Sequence, residues 1–246
     1  MRLPAIRGMI DRRILANFRI DPEVMAAALP PPFRPQVVEK RAIGGICLIR
    51  LKQLRPKFLP FPWGIESENA AHRIAVEWDE QGRTRSGVYI PRRDTDSRLN
   101  AWGGGTIFPG IHHHARFSVT ETGEDYSVTM NSDDGTAHVH VSGTVAGALP
   151  TSSVFRSLEQ ASGFFEQGSL GYSDTRIPGK FDGLELRCRD WHVEALDVES
   201  ITSSYFEDIS RFPEGSVEFD CALLMRGINH EWHGRESLGC PSEPRA

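Results

Sequence analysis

The stretch HRIAVEWDEQGRTRSGVYIPRR, residues 72–93, sets the reading of the fold. His72 to Trp78 and Thr84 to Ile90 read as two strands joined by a turn near Gln81-Gly82. The second strand runs into Tyr89-Ile90-Pro91-Arg92-Arg93, which sets two adjacent arginines just past a proline. Upstream, Ile14 to Ile20 reads as a strand. Asp21 then offers a helix N-cap, Pro22 suits the first helical position, and Val24, Met25, Ala28 and Leu29 form one apolar face. Pro30-Pro31-Pro32 stops that helix. Between them and the hairpin, Ile46 to Leu54 alternates as a strand, with Ile46, Leu48, Arg50 and Lys52 on one face and Cys47, Ile49 and Leu51 on the other. Pro56, Pro60 and Pro62 mark a loop that includes Trp63.

Downstream, His113 to Thr120, Tyr126 to Asn131 and Thr136 to Val145 suggest an antiparallel meander, with Asp133-Asp134-Gly135 as its second turn. Val154 to Glu166 reads as the longest helix, ended by Gly168, with Phe164-Phe165 docking on the sheet. Gly183 to Arg189, His192 to Val198 and Ser216 to Met225 read as later strands, and the polar tail from about residue 240 as loose. Many strands, few helices and frequent turns predict one mainly β (α+β) domain over residues 1–246. These patterns alone do not separate a barrel from a sandwich.

Composition narrows the function classes. Apolar residues make up 39% of the 246, enough for a sizeable core, and the formal charge of −5 gives no reason to expect nucleic acid. No run approaches a membrane span, and charged residues near the start interrupt any signal-like segment. Cys47, Cys188, Cys221 and Cys240 contain no Cys-x-x-Cys pair. Cys47 and Cys221 sit in apolar runs as expected for buried free thiols, which suits a reducing, cytoplasmic setting. Lysine is scarce: Lys40, Lys52, Lys57 and Lys180 are the only ones among 28 basic residues. Few amines are therefore available for covalent chemistry.

In order along the chain, Phe18-Arg19-Ile20-Asp21, Leu29 to Phe33, Glu66-Ser67-Glu68-Asn69, Tyr89 to Leu99 and Ser203-Ser204 resemble the motifs of acetoacetate decarboxylases. A closer resemblance is to domain of unknown function 2071, carried by Glu68-Asn69 through Val76, Gly87-Val88-Tyr89 and Phe219-Asp220 to Met225. The resemblance implies a closed, mostly antiparallel β-barrel with flanking helices, a pocket within the barrel, and a homo-oligomer. It implies substrate contacts for Arg19, Tyr89 and Arg93 and catalytic roles for Glu68 and Arg92, with Glu66 close enough to confuse the register. Arg92 falls where that family carries its Schiff-base lysine, Arg93 on the neighbouring lysine. A second family acid would fall near Ile46-Cys47, where none exists.

A guanidinium stays charged and forms no catalytic imine. It does grip carboxylates, phosphates and enolates through paired hydrogen bonds. The expectation is therefore a cationic pocket of Arg19, Arg92 and Arg93, balanced by Glu68, that binds a small anionic or carbonyl-containing metabolite and acts, if at all, by non-covalent acid–base chemistry with no cofactor. Lys52 is a weak candidate for a replacement amine. The alternative is that Arg92 and Arg93 form structural ion pairs with Asp94 or Asp96. His112 with His114, and His138 with His140, share strand faces that could assemble a metal site, but surface or pocket-lining roles fit them better and no metal is expected. The His230-Glu231-Trp232-His233 run is a weaker pattern of the same kind. Ser203-Ser204 reads as a backbone-capping pair, since no Gly-x-Ser-x-Gly occurs.

Overall fold

The computed structural model describes residues 5–58, 64–103 and 110–239. Pro60, Pro62, Trp63, Gly104, Gly105, Cys240 and the expected loose tail lie outside the described residues. The chain runs β1 (Ile6–Ile20), α1 (Pro22–Ala28), β2 (Arg34–Pro35), β3 (Val37–Val38), β4 (Arg41–Pro56), β5 (Ile65–Glu80), β6 (Arg83–Thr95) and α2 (Arg98–Gly103). It continues through β7 (His112–Thr122), β8 (Asp125–Ser132), β9 (His138–Ala146), α3 (Leu158–Gln167), β10 (Leu170–Asp174), β11 (Lys180–Cys188), β12 (Glu194–Ser203) and β13 (Val217–Gly239). Among the described residues, no helix is long and apolar enough to cross a membrane.

Local chemistry explains the main boundaries. Gln81 and Gly82 both take positive φ, 51° and 75°, which turns β5 tightly into β6. Gly135, at φ 69°, does the same between β8 and β9. The Asp21 side chain accepts from the Glu23 and Val24 amides to start α1. Helix α3 begins at Leu158, later than the periodicity predicts. Ser157 caps it by accepting from the Gln160 amide, while the preceding residues are held by Asp220, which accepts from Ser153 Oγ and the Val154 amide. β10 has no sequence expectation at all: Leu170-Gly-Tyr-Ser-Asp174 lacks a sustained apolar alternation. β13 runs on well past Met225, because its polar second half pairs with both β1 and β11.

The strands form one sheet that closes on itself twice. One closed path runs β6-β7-β8-β9-β12-β13-β1-β4-β5 and back to β6. A second, smaller one runs β6-β10-β11-β13-β1-β4-β5 and back to β6. Most pairings are antiparallel, but β6 pairs in parallel with β10 through Val88–Ile90 and then with β7 through Arg93–Thr95. Pro91, with no N–H to donate, stands at this change of partner.

The shared strands are apolar on both faces because each face lines a different core. Ile14, Ala16, Ile46, Leu48, Ile74, Trp78, Ala222 and Leu224 belong to a first core that also takes Val128, Met130, Val139 and Val141 from β8 and β9. Leu15, Cys47, Ile49, Leu51, Ala71, Ala75, Leu223 and Met225 belong to a second core that packs against Phe165 of α3 and Leu186 of β11. The alternation expected over Ile46 to Leu54 is therefore the division between two interiors. Phe165 docks on the sheet as expected.

Candidate functional site

The second core contains a cavity. Its walls come from every strand of the smaller ring, with α3 over one side and Asn100 of α2 and His112 of β7 at another. The cavity volume is about 120 Å³. Ile49, Leu51, Ile90, Leu186, Trp191 and Trp232 supply apolar surface. Three arginines, Arg13, Arg73 and Arg93, supply positive charge.

None of the three is paired with a carboxylate among the described residues. Arg13 Nε donates to Cys47 Sγ at 3.2 Å and its guanidinium lies 5.8 Å from the Trp191 ring centroid. Arg73 donates from Nη2 to Asn17 Oδ1, lies 4.6 Å over the Phe165 ring, and has no partner for Nε. Arg93 Nε donates to Ser173 Oγ at 2.9 Å. Burial pushes both Arg73 and Arg93 down to about 10, which leaves them charged at neutral pH. A buried charge without a counter-charge is costly, and three guanidiniums converging here make the cavity lining cationic.

Two further polar groups face this space. Asn100 is buried, and its Oδ1 has no hydrogen-bond donor. His112 places Nδ1 3.3 Å from the Gly110 carbonyl. Burial, with Arg93 adding to it, pushes the imidazole down to about 3, so it is neutral. Asp94 borders the cavity, but its carboxylate is taken by Arg92.

Of the five residues implied by the resemblance, Tyr89 and Arg92 line a separate pocket with Asp174, Tyr205 and Arg211, Arg93 lines the cavity, and Arg19 and Glu68 line neither. Strand alternation puts Arg92 and Arg93 on opposite faces of β6, and only Arg93 lines the cavity. Arg92 donates to Asp94 at 2.9 Å, to Asp134 at 3.0 Å and to Thr136 Oγ1 at 2.6 Å. The structural ion pair with Asp94 thus holds for Arg92 but not for Arg93. Tyr89 is buried in the first core, stacked on Phe33, and its hydroxyl donates to Asp174 at 2.9 Å. Burial and that carboxylate push its ionisation above the usual phenol range. Glu68 faces the first ring, where it pairs with Arg12 and with Arg50 Nε at 2.6 Å. Glu66 is exposed. Arg19, at the end of β1, pairs with Glu218 at 2.6 Å. Instead of a pocket of Arg19, Arg92 and Arg93 balanced by Glu68, the cavity holds Arg13, Arg73 and Arg93.

All four lysines lie off the cavity, and Lys52 pairs with Asp11 at 3.0 Å. His113 and His114 pair with Asp134 and Asp133, while His138 and His140 bond to Asn131 and Thr129 across the meander. Among the described residues no three His, Cys, Asp or Glu side chains converge as a metal site. Ser203 Oγ accepts from the Phe206 amide and Ser204 Oγ from the His138 amide, both capping contacts.

Arg13, Arg73, Cys47 and Asn100 are the cavity residues that motif reading passes over. Arg73 carried a usable signal: in Ala71-His72-Arg73-Ile74-Ala75 its own face has only alanines beside it. Small neighbours on a buried face leave room for a long cation.

Comparison with known proteins agrees with this architecture. Crystallographic acetoacetate decarboxylase from Legionella pneumophila superposes with a TM-score of 0.62 at 11% identity, over 95% of this chain and 87% of that one. The enduracididine biosynthesis enzyme MppR, solved with pyruvate, gives 0.62 at 10% identity over 99% and 93%. An acetoacetate decarboxylase-like enzyme from Sphingomonas wittichii RW1 gives 0.53 at 12% over 96% and 91%. No curated protein sequence matches. The fold is therefore that of the acetoacetate decarboxylase-like proteins. Within it, residues 9–207 match the uncharacterized conserved proteins of domain of unknown function 2071, and the chain belongs to that family.

Proposed function

We propose that this protein binds a small carboxylate-bearing or carbonyl-bearing metabolite in the arginine-lined cavity, without the Schiff-base chemistry of a lysine enzyme. One observation carries the reading: Arg13, Arg73 and Arg93 reach the same cavity, and no carboxylate among the described residues pairs with any of them. Their guanidiniums hold the ligand's negative end by charge-assisted hydrogen bonds. The two tryptophans and the aliphatic residues receive its apolar part. Negative charge that develops on the ligand, as in an enolate, falls on the same cations. His112 is too weakly basic when the cavity is empty to remove a proton, and gains basicity as an anion enters beside it.

The pyruvate seen in MppR belongs to that enzyme, but its size and charge suit this reading. Isothermal titration with pyruvate, acetoacetate and lactate tests it: binding is expected for the wild-type protein and at least a tenfold loss for Arg93→Gln and Arg73→Gln. Equal affinity in both variants would reject the arginine site. Borohydride treatment with a keto acid is expected to trap no lysine adduct. The reading also takes the protein as a cytoplasmic homo-oligomer. Free thiols at Cys47, Cys188 and Cys221 suit a reducing compartment, and exposed Leu99 and Trp102 on α2 offer an apolar contact surface. Light scattering on the purified chain tests the oligomer.

A further inference from the structure

We propose that Cys47 is the nucleophile of this cavity, adding through Sγ to the carbonyl carbon of a small keto carboxylate held by Arg13, Arg73 and Arg93. The proposal rests on the anion-binding reading above and gives that site a covalent step. No lysine lines the cavity among the described residues, yet one soft nucleophile stands among its cations. Cys47 lies on β4 facing the cavity, 7% exposed, and is not in a disulfide. Arg13 Nε donates to its sulfur at 3.2 Å, and Arg73 and Arg93 line the same cavity. Positive surroundings of this kind are where sulfur nucleophiles react.

Independent features point to a ligand at this thiol. Arg73 is 95% buried, with Nε unpartnered on the cavity side of β5. Asn100, also 95% buried, lines the same space with an amide oxygen that lacks a donor. A carboxylate on the guanidiniums places a neighbouring keto group within the same small volume as Sγ. In the step, the S–C bond forms and the C=O π bond breaks. Its electron pair goes to oxygen, and the proton lost by the thiol ends on that oxygen as a hydroxyl. The product is a thiohemiketal, with no other reactant consumed, and the reverse step expels the thiol. The new hydroxyl is the kind of donor that Asn100 Oδ1 lacks, and the guanidiniums stabilise the alkoxide that forms on the way.

Carbon NMR with pyruvate labelled at the keto carbon tests the step, and calorimetric titration with lactate tests the anion site separately. A bound tetrahedral-carbon signal is expected in the wild type and in Cys188→Ser. It should be lost in Cys47→Ser and Cys47→Ala, while both variants still bind lactate and circular dichroism reports that they fold. A tetrahedral signal that survives in the Cys47 variants would overturn the assignment. So would wild type that binds lactate yet shows no tetrahedral carbon with pyruvate, an outcome that leaves the anion site standing. Failure to bind either compound would overturn both readings.

Discussion

The two rings share five strands and treat charge in opposite ways. The larger ring packs side chains such as Trp78, Met130 and Ile74 into its core, and its cations are matched: Arg12 and Arg50 with Glu68 and Glu121, Arg92 with Asp94 and Asp134. The smaller ring encloses the cavity, and Arg13, Arg73 and Arg93 reach it with no carboxylate paired to them among the described residues, since Asp94 at its border is held by Arg92. Neighbouring residues 92 and 93 fall on either side of this divide. Unfavourable electrostatics are thus confined to one interior, as expected where a ligand supplies the missing charge. Truncation should expose the difference most strongly. Trp78→Ala removes a fully buried side chain and is expected to cost about 3–5 kcal/mol, whereas Leu186→Ala, half-buried and already beside open space, should cost about 1 kcal/mol. Urea denaturation measures both, and equal losses would erase the distinction between the two interiors.

Acid distinguishes the rings next. His72 in the larger ring and His112 in the smaller are both pushed down to about 3 by burial, and His230 to about 4. In the unfolded chain each returns to about 6.5. Below that value the unfolded state binds protons that the folded state refuses, so stability is full above pH 6.5 and falls as pH drops toward 4. Three such groups give a slope of up to about 4 kcal/mol per pH unit. Chemical denaturation from pH 7 to 5 checks the sign. The sharper measurement is imidazole NMR with a bound carboxylate: His112 should become more basic because it lines the cavity, and His72, behind the shared wall, should not move. A shift of His72 alone would place the anion in the wrong ring.

Arg92→Gln should cost less, about 2–3 kcal/mol. It leaves the fully buried Asp94 carboxylate without its cation and facing the like charge of Asp134. Adding Asp94→Asn should recover most of it, since the orphaned charge is what destabilises. Anion affinity should be untouched in Arg92→Gln, because Arg92 does not line the cavity. Calorimetry beside denaturation reads the two effects separately.

Strand periodicity made most of the architecture legible. The β5–β6 hairpin, the β7–β8–β9 meander and the opposed faces of β4 all follow from local pattern and turn chemistry. Closure into two rings does not, because it depends on β6 exchanging β10 for β7 around Pro91, and three parallel pairs with each leave no periodic trace. The same limit applied to the site. Motif order drew attention to Tyr89, Arg92 and Arg93 as one unit, but a strand turns consecutive side chains to opposite faces, and here both faces are buried. Arg13 and Arg73 come from other strands and carry no motif. Their partners, or lack of them, are set by residues distant in sequence.

The smallest expected effect has the most informative sign. Arg93→Met replaces a half-buried guanidinium, which donates to Ser173 Oγ, with an apolar side chain of similar reach. Removing an uncompensated, half-buried charge should leave the fold unchanged or stabilise it by about 1 kcal/mol, while anion affinity collapses. Stability gained at the expense of binding is the behaviour of a group kept for a ligand. The opposite result, a loss comparable to that of Arg92→Gln with affinity intact, would make Arg93 a structural cation like its neighbour. Thermal unfolding with and without saturating carboxylate decides between them: the anion should raise the wild-type midpoint and leave that of the Met variant where it is.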